Sequence, residues 1–344
     1  GVRRSITTLL HGAVLSGLLA WAGLGAAQSA VSVPPLTLTQ VQPGVYVHFG
    51  ALKDWGPENG GDVANLGFIV GSRCVAVVDT GGTPRVGQAL RAAIEHTTAL
   101  PVCYVINTHA HPDHVLGSTA FASATPRPRF VASAGFARTL SAREPYYLNA
   151  LQRDFGIELT HASIVYPDLT VEQSLDLDLG DRVLTLQAWP TAHTDNDLTV
   201  YDRRSRTLFA SDLLFVQHVP VVDGSLRGWI EVLAQLARLD VATVVPGHGP
   251  SSTDWPAALR PETEYLNGLL RDTRTAIRKL QTIRQAIDAI GVPAGSHWLL
   301  TDRFQRRNVT AAYAELEWED EPPAAPASPS SAGRAVRSIG PTGR

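Results

Sequence analysis

The sequence predicts a layered α/β protein, and three observations carry that prediction. Short apolar runs bounded by glycines recur as strands, amphipathic windows lie between some of them, and histidines or aspartates follow several of the runs. With 44% hydrophobic residues in a chain of 344, a substantial core can be buried, in one large domain or two small ones. The 29 Lys and Arg against 32 Asp and Glu give a net charge of −3 with no long single-sign block, which argues against a nucleic-acid partner.

Taken in order, the first thirty residues place Arg3 and Arg4 before an apolar stretch from Gly12 to Leu24 and close on small residues. That is signal-peptide architecture over residues 1–30, with cleavage between Ala27 and Ala30. The stretch is interrupted by His11 and is too short for a lasting span, so no stable membrane insertion is expected after cleavage. Export by the twin-arginine or the general secretory route leads to the periplasm. From Val45, "GVYVHFG", "ANLGFIVG" and "CVAVVDTGG" read as strands, "RVGQALRAAIEHTT" as a helix, and "PVCYVINTH" as a strand ending where His109 begins. Cys74 and Cys103 read as small core side chains, because neighbouring core strands seldom present disulfide geometry, although an exported protein can oxidise such a pair.

Pro112 suits the first turn of a helix continuing through "DHVLGSTAF". The segment Phe136 to Gly156 turns helical after Pro145, with Tyr146, Tyr147, Leu148 and Leu151 forming an apolar face that packs on the domain or flanks a substrate cleft. "LDLDLGDRVLTLQAW" alternates like a hairpin, "TLFASDLLF" reads as a strand, and "GWIEVLAQLARL" has helical spacing and leads to the strand "VATVVPGHGP". Over Thr263 to Ile290, Leu266, Leu269, Ile277, Leu280, Ile283 and Ile287 fall on one stripe of an amphipathic helix. The Pro/Ala/Ser-rich residues 321–344 are expected to be disordered, which leaves residues 31–320 as the folded domain.

The chemistry concentrates in "INTHAHPDHVLG", where three of the eleven histidines and one aspartate fall between His109 and His114. On an extended segment His109 and His111 project to one side, while Asp113 and His114, at a helix start, point to another. One hexapeptide can thus feed two adjacent metal ions. His193 in "TAHTDND", Asp212 in "FASDLLF" and His248 in "PGHGP" are metal-compatible residues at strand ends. Neutral imidazoles with added carboxylate charge suit two zinc ions, with iron or manganese as alternatives. Two close metals lower the pKa of a shared water from about 16 to about 7, so hydroxide is the expected nucleophile toward an ester, thioester or cyclic amide. A G-x-S-x-G elbow is lacking, which weakens a serine-hydrolase reading.

Supporting residues are legible beside these. Asp79, closing "VAVVD", reads as an acceptor for a ligand imidazole or as a helix N-cap, and Thr108 adjoins the first ligand. Asn196 faces substrate or closes its turn. His218, in "FVQHVP", lines the cleft or is an ordinary loop histidine.

The order H-x-H-x-D-H, then His, Asp and His, over Val41 to Gly249, resembles the metallo-β-lactamase superfamily. The resemblance implies a four-layer αβ/βα sandwich with a two-metal site at one edge. It implies one metal on His109, His111 and His193, the other on Asp113, His114 and His248, and Asp212 bridging them, with Asp113 and Asp212 as the carboxylates of the catalytic centre. Where the best-known zinc β-lactamases carry a cysteine this chain has Asp212, as in glyoxalase II, so penicillin breakdown is the less expected task. "PENGGDVANLGFIVG", "VVDTGG", "INTHAHPDHVLGSTAF", "AHTDNDLTVYD" and "FASDLLFVQHVPVVDGSLRGW" are similar to the quinoprotein relay system zinc metallohydrolases. This closer likeness implies an exported hydrolase of a small-molecule carbonyl substrate, working beside a pyrroloquinoline-quinone (PQQ) dehydrogenase system. Competing readings are a β-lactamase or lactonase, and a metal-containing accessory protein without turnover. A mononuclear iron dioxygenase of the same fold is disfavoured by the intact second ligand set.

Overall fold

The computed structural model describes residues 33–319; the leader expected over 1–30 and the tail expected from 321 lie outside the described residues. Strands β1 (Thr39–Gln42), β2 (Val45–His48), β3 (Leu66–Val70) and β4 (Val75–Val78) form an antiparallel meander. Helix α1 (Pro84–Thr97) starts where the Thr83 hydroxyl accepts from Val86 N and Pro84 occupies the first turn, and it carries the chain to β5 (Val102–Ile106), parallel to β4. Two short helices, α2 (Pro112–Val115) and α3 (Thr119–Ala122), precede β6 (Arg129–Ser133), and α4 (Phe136–Phe155) precedes β7 (Leu169–Val171). These seven strands make one sheet in chain order.

The second sheet comprises β8 (Ser174–Asp178), β9 (Val183–Ala188), β10 (Leu198–Asp202), β11 (Thr207–Phe215) and β12 (Thr243–His248). Helix α5 (Leu226–Leu236) crosses between the parallel pair β11 and β12, and α6 (Arg260–Arg278), α7 (Ile283–Ala289) and α8 (Thr301–Leu316) follow. The period of two along each strand sorts the layers. In β4, Ala76 and Val78 point into the core between the sheets, with Leu184, Leu186 and Val200 opposite, whereas Val75 and Val77 meet Leu90, Ile94 and Phe121 on the outside. Trp229, Leu233, Leu266 and Val309 cover the outer face of the second sheet. The layers run helix, sheet, sheet, helix, the expected αβ/βα sandwich. Among the described residues no helix is long and apolar enough to cross a membrane.

Several local expectations need correction. Cys74 and Cys103 form a disulfide, with their Cα atoms 5.7 Å apart. Cys74 precedes the regular part of β4, and the β4–β5 register slips so that Val75 faces Val102 while Ala76 faces Tyr104, leaving Cys103 as the extra residue. The irregularity removes the ladder geometry that argued against pairing. Helix α4 runs through Pro145 instead of starting there, because Phe136 and Leu140 bury on the same face as Tyr147 and Leu151; Tyr146 is exposed and Leu148 only half-buried. "DHVLGSTAF" breaks into α2 and α3 around Gly117, where a Cβ would sit 2.0 Å from the Thr80 carbonyl oxygen. The window Thr263 to Ile290 is two helices: the backbone reverses at Leu280, which is exposed, and Thr282 and Gln285 cap a new start.

Candidate metal centre

The seven sequence-predicted ligands meet at one end of the sandwich. Four of them follow β5, with His109 in a bend, His111 on extended backbone at the start of α2, and Asp113 and His114 on α2. His193 lies in the loop between β9 and β10, and His248 ends β12. Asp212 departs from expectation, since it lies inside β11 and not at its end. It reaches the pocket because β11 is irregular there: Ser211 has a left-handed backbone (φ 50°), and the pairing with β12 slips on both sides of it. Gly247, in the facing strand, makes room, since a Cβ there would lie 1.8 Å from Asp212 Oδ1.

Two groups of donors result, one of His109, His111, His193 and Asp212, the other of Asp113, His114 and His248. In the first, His111 Nδ1 stands 3.2 Å from His109 Nε2 and 3.1 Å from His193 Nε2. In the second, Asp113 Oδ2 stands 3.5 Å from His114 Nε2 and 3.3 Å from His248 Nε2. Asp212 touches both: Oδ1 lies 3.1 Å from His114 Nε2, while Oδ2 lies 3.3 Å from His193 Nε2, 3.4 Å from His248 Nε2 and 3.6 Å from His109 Nε2.

Each imidazole is held by its other nitrogen, which fixes the tautomer and turns a lone pair inward. His114 Nδ1 donates to Asp79 (2.8 Å), His193 Nδ1 to the Val221 carbonyl (2.7 Å) and His248 Nδ1 to the Val63 carbonyl (2.9 Å). His109 Nδ1 meets Thr108 Oγ1 at 3.1 Å, and the Thr108 hydroxyl in turn donates to Asp79 Oδ2 (2.7 Å). Asp79 is thus an acceptor for a ligand imidazole, and the cap of α1 is Thr83. Its backbone is left-handed (φ 59°), a strained conformation tolerated where surrounding bonds over-determine it. Asn196 does not face the pocket: buried, it closes its loop and accepts from Ala110 N (2.9 Å), which steadies the peptide between His109 and His111.

Sequence reasoning missed three supports. His111 Nε2 donates to Asp223 (2.7 Å), which also pairs with Arg143 of α4 at 2.7 Å. Tyr147, on the same helix, donates to the Ala110 carbonyl (2.8 Å), so α4 clamps the hexapeptide from outside. Asn65 donates to the carbonyls of Pro246 (2.9 Å) and Gly249 (2.7 Å), bracketing His248. Asp223 falls in the glycine-bearing loop after a ligand strand, which was the only signal for it.

The electrostatics fit cation binding. Burial opposes charge on His114 and His248, yet Asp212 and Asp113 outweigh it, holding His114 well above the usual imidazole range and His248 at about 9. In the first group burial prevails, pushing His193 down to about 4 and His109 well below its ordinary value. His114 Nε2 and Asp212 Oδ1 are buried without a hydrogen-bond partner, though only 3.1 Å apart. Two inward-facing donor atoms left unsatisfied are what a bound divalent cation would resolve.

A model of the metallo-beta-lactamase superfamily matches residues 59–248, more than half of the chain, and the protein belongs to that superfamily. Among solved structures, the sec-alkylsulfatase from Pseudomonas sp. is 18% identical with a TM-score of 0.61, covering 84% of this chain and 51% of its own. This chain therefore spans about half the length of that enzyme. The metallo-beta-lactamase from Pontibacter korlensis is 20% identical (TM-score 0.54; 67% of this chain, 99% of its own), and that from Hirschia baltica is 18% identical (TM-score 0.52; 67% and 97%). At these identities the likeness is one of fold. A search of curated proteins gives no match.

Proposed function

We propose that the protein is a dinuclear zinc hydrolase of a small carbonyl substrate, an ester, thioester or lactone, exported to the periplasm and working beside a quinoprotein system. The observation that carries the dinuclear reading is the Asp212 carboxylate, which touches imidazoles of both groups, Oδ1 on His114 and Oδ2 on His193 and His248. His109, His111 and His193 would hold one zinc, Asp113, His114 and His248 the other, with Asp212 shared. Once bound, the pair supplies an activated water and a polarised substrate carbonyl. Asp212 sets the spacing of the two groups and keeps negative charge between them. Asp113, whose side chain keeps 14% exposure against 4% for Asp212, is the carboxylate able to pass a proton toward solvent. The Cys74–Cys103 disulfide supports an oxidising compartment. The quinoprotein link is supported by the sequence likeness alone.

The test is hydrolysis by the zinc-loaded protein of a thioester, a lactone, a chromogenic cephalosporin and a secondary alkyl sulfate, with Asp113→Ala as control and metal counted by elemental analysis. Turnover of the thioester or lactone with two metals per chain is expected. Cephalosporin turnover at a comparable rate moves the assignment to a β-lactamase. Absence of all hydrolysis, with a quinoprotein co-purifying, overturns the enzyme reading in favour of an accessory role.

A further inference from the structure

His48 is a buried imidazole outside the donor set, and both of its nitrogens are committed. It closes β2, where it faces Leu66 in the ladder with β3. Nδ1 lies 2.9 Å from the Thr37 carbonyl, and Nε2 lies 2.8 and 2.9 Å from the two oxygens of Asp62. Neither a carbonyl nor a carboxylate donates, so both bonds form together only when each ring nitrogen carries a hydrogen, which makes the ring an imidazolium. Burial opposes that charge. Asp62, the charged group that faces the ring, and the Thr37 carbonyl outweigh it and raise His48 above the ordinary imidazole value.

This ion pair clasps the loop from β2 to β3, and the far end of the loop supports the metal centre. Beside the clasp, Ala51 N donates to the Asp62 carbonyl (3.0 Å) and Gly50 N to Asn65 Oδ1 (3.2 Å). The two ends are pressed together so closely that a Cβ on Gly50 would sit 2.4 Å from the Val63 carbonyl carbon. Val63 follows Asp62 directly, and its carbonyl is the one that receives His248 Nδ1 at 2.9 Å. Two residues further on, Asn65 N donates to the carbonyl of Gly247, the neighbour of His248 (2.8 Å). From His48 to His248 the path is one ion pair, one step of backbone and one hydrogen bond.

We propose that His48 is a positioning residue of the second donor group: as a cation it holds Asp62, which sets the Val63 carbonyl and through it the ring of His248. The clasp is complete while His48 is protonated and is released as pH rises through its folded pKa. The proposal rests on the two-metal reading above and on no particular substrate.

The test is the zinc affinity of each group, by competitive chelator titration with elemental analysis, in the wild type, His48→Phe, Asp62→Asn and His48→Arg between pH 6 and 9. At pH 6, His48→Phe and Asp62→Asn should each weaken the second group about ten-fold and leave the first close to wild type. The advantage of the wild type over His48→Phe should shrink toward pH 9. His48→Arg, a fixed cation with donors for both acceptors, should match the wild type at pH 6 and keep its advantage over His48→Phe at pH 9. Proton competition at His114 and His248 is common to all four proteins and cancels in these ratios. Equal loss in both groups, no loss, or an advantage that does not change with pH overturns the proposal. If the wild type takes up no second zinc, the two-metal reading fails, and the metal-free protein still decides the role of His48. There the His248 Nδ1 hydrogen should give a slowly exchanging signal in nitrogen-edited proton spectra of the wild type and His48→Arg and be broadened by exchange in His48→Phe; an unchanged signal in His48→Phe overturns the positioning role.

Discussion

The two donor groups of the centre share Asp212 and lie side by side, yet they are built on opposite electrostatic plans. The first holds three imidazoles, and burial drives His109 and His193 toward neutrality. The second includes Asp113 and has Asp79 behind His114, so carboxylate charge overcomes the same burial and raises the proton affinity of His114 and His248 above the ordinary imidazole range. His109 and His193 can therefore take a cation without releasing a proton, whereas protons compete with a cation for the second group. Two sites made from one hexapeptide can thus differ in how they load.

The comparison breaks most completely at the residue common to both halves. Asp212→Ala should empty both groups and lower hydrolysis by at least about a thousand-fold, whereas Asp113→Ala should remove the second metal only, as elemental analysis will show. One step outward, Asp79→Asn should weaken chiefly the second group, since it meets His114 directly and His109 only through Thr108, and Asp223→Asn the first, each by about 10–100-fold in metal affinity by competitive chelator titration. If both variants lose the same metal, the division into groups is wrong.

Loading of the second group should also depend on pH. In the metal-free protein His248 is raised to about 9 and His114 is raised well above the ordinary imidazole range, so affinity at the second group should rise with pH from 6 to 9. His193 falls to about 4 and is already neutral at pH 7, so that ligand releases no proton when the first group loads. Calorimetry in buffers of different ionisation enthalpy counts the protons released. The smallest effect concerns Glu262, a buried carboxyl with one oxygen accepting from Phe215 N and the other unpartnered. Burial raises its folded pKa well above 4.5, so its stabilising contribution is complete below the unfolded value and is lost as pH rises above it. Glu262→Gln should gain on the order of 1 kcal/mol relative to wild type between pH 4 and 8, read by denaturant unfolding.

The contrast between the groups also marks what the chain discloses. Strands and their facing sides were legible because apolar alternation is local, and the hexapeptide because its ligands are neighbours. His193 and His248 were legible as histidines in the loops and strand ends beyond apolar runs. Asp212 was named from its place in a pattern, but its position inside β11 depends on the left-handed Ser211, which no sequence period signals. Asp223, Arg143 and Asn65 were missed because each is an ordinary polar residue until the tertiary fold sets it against a ligand loop. The disulfide was misjudged for the same reason: a one-residue slip between β4 and β5 decides it.

Gly247 gives the architecture an unadvertised weak point. A single methyl added there would press on Asp212 Oδ1 from the neighbouring strand, so the mildest of substitutions should damage the heart of the centre while leaving every coordinating side chain in place. In a mutational scan it will behave like a ligand although it has no atom to donate.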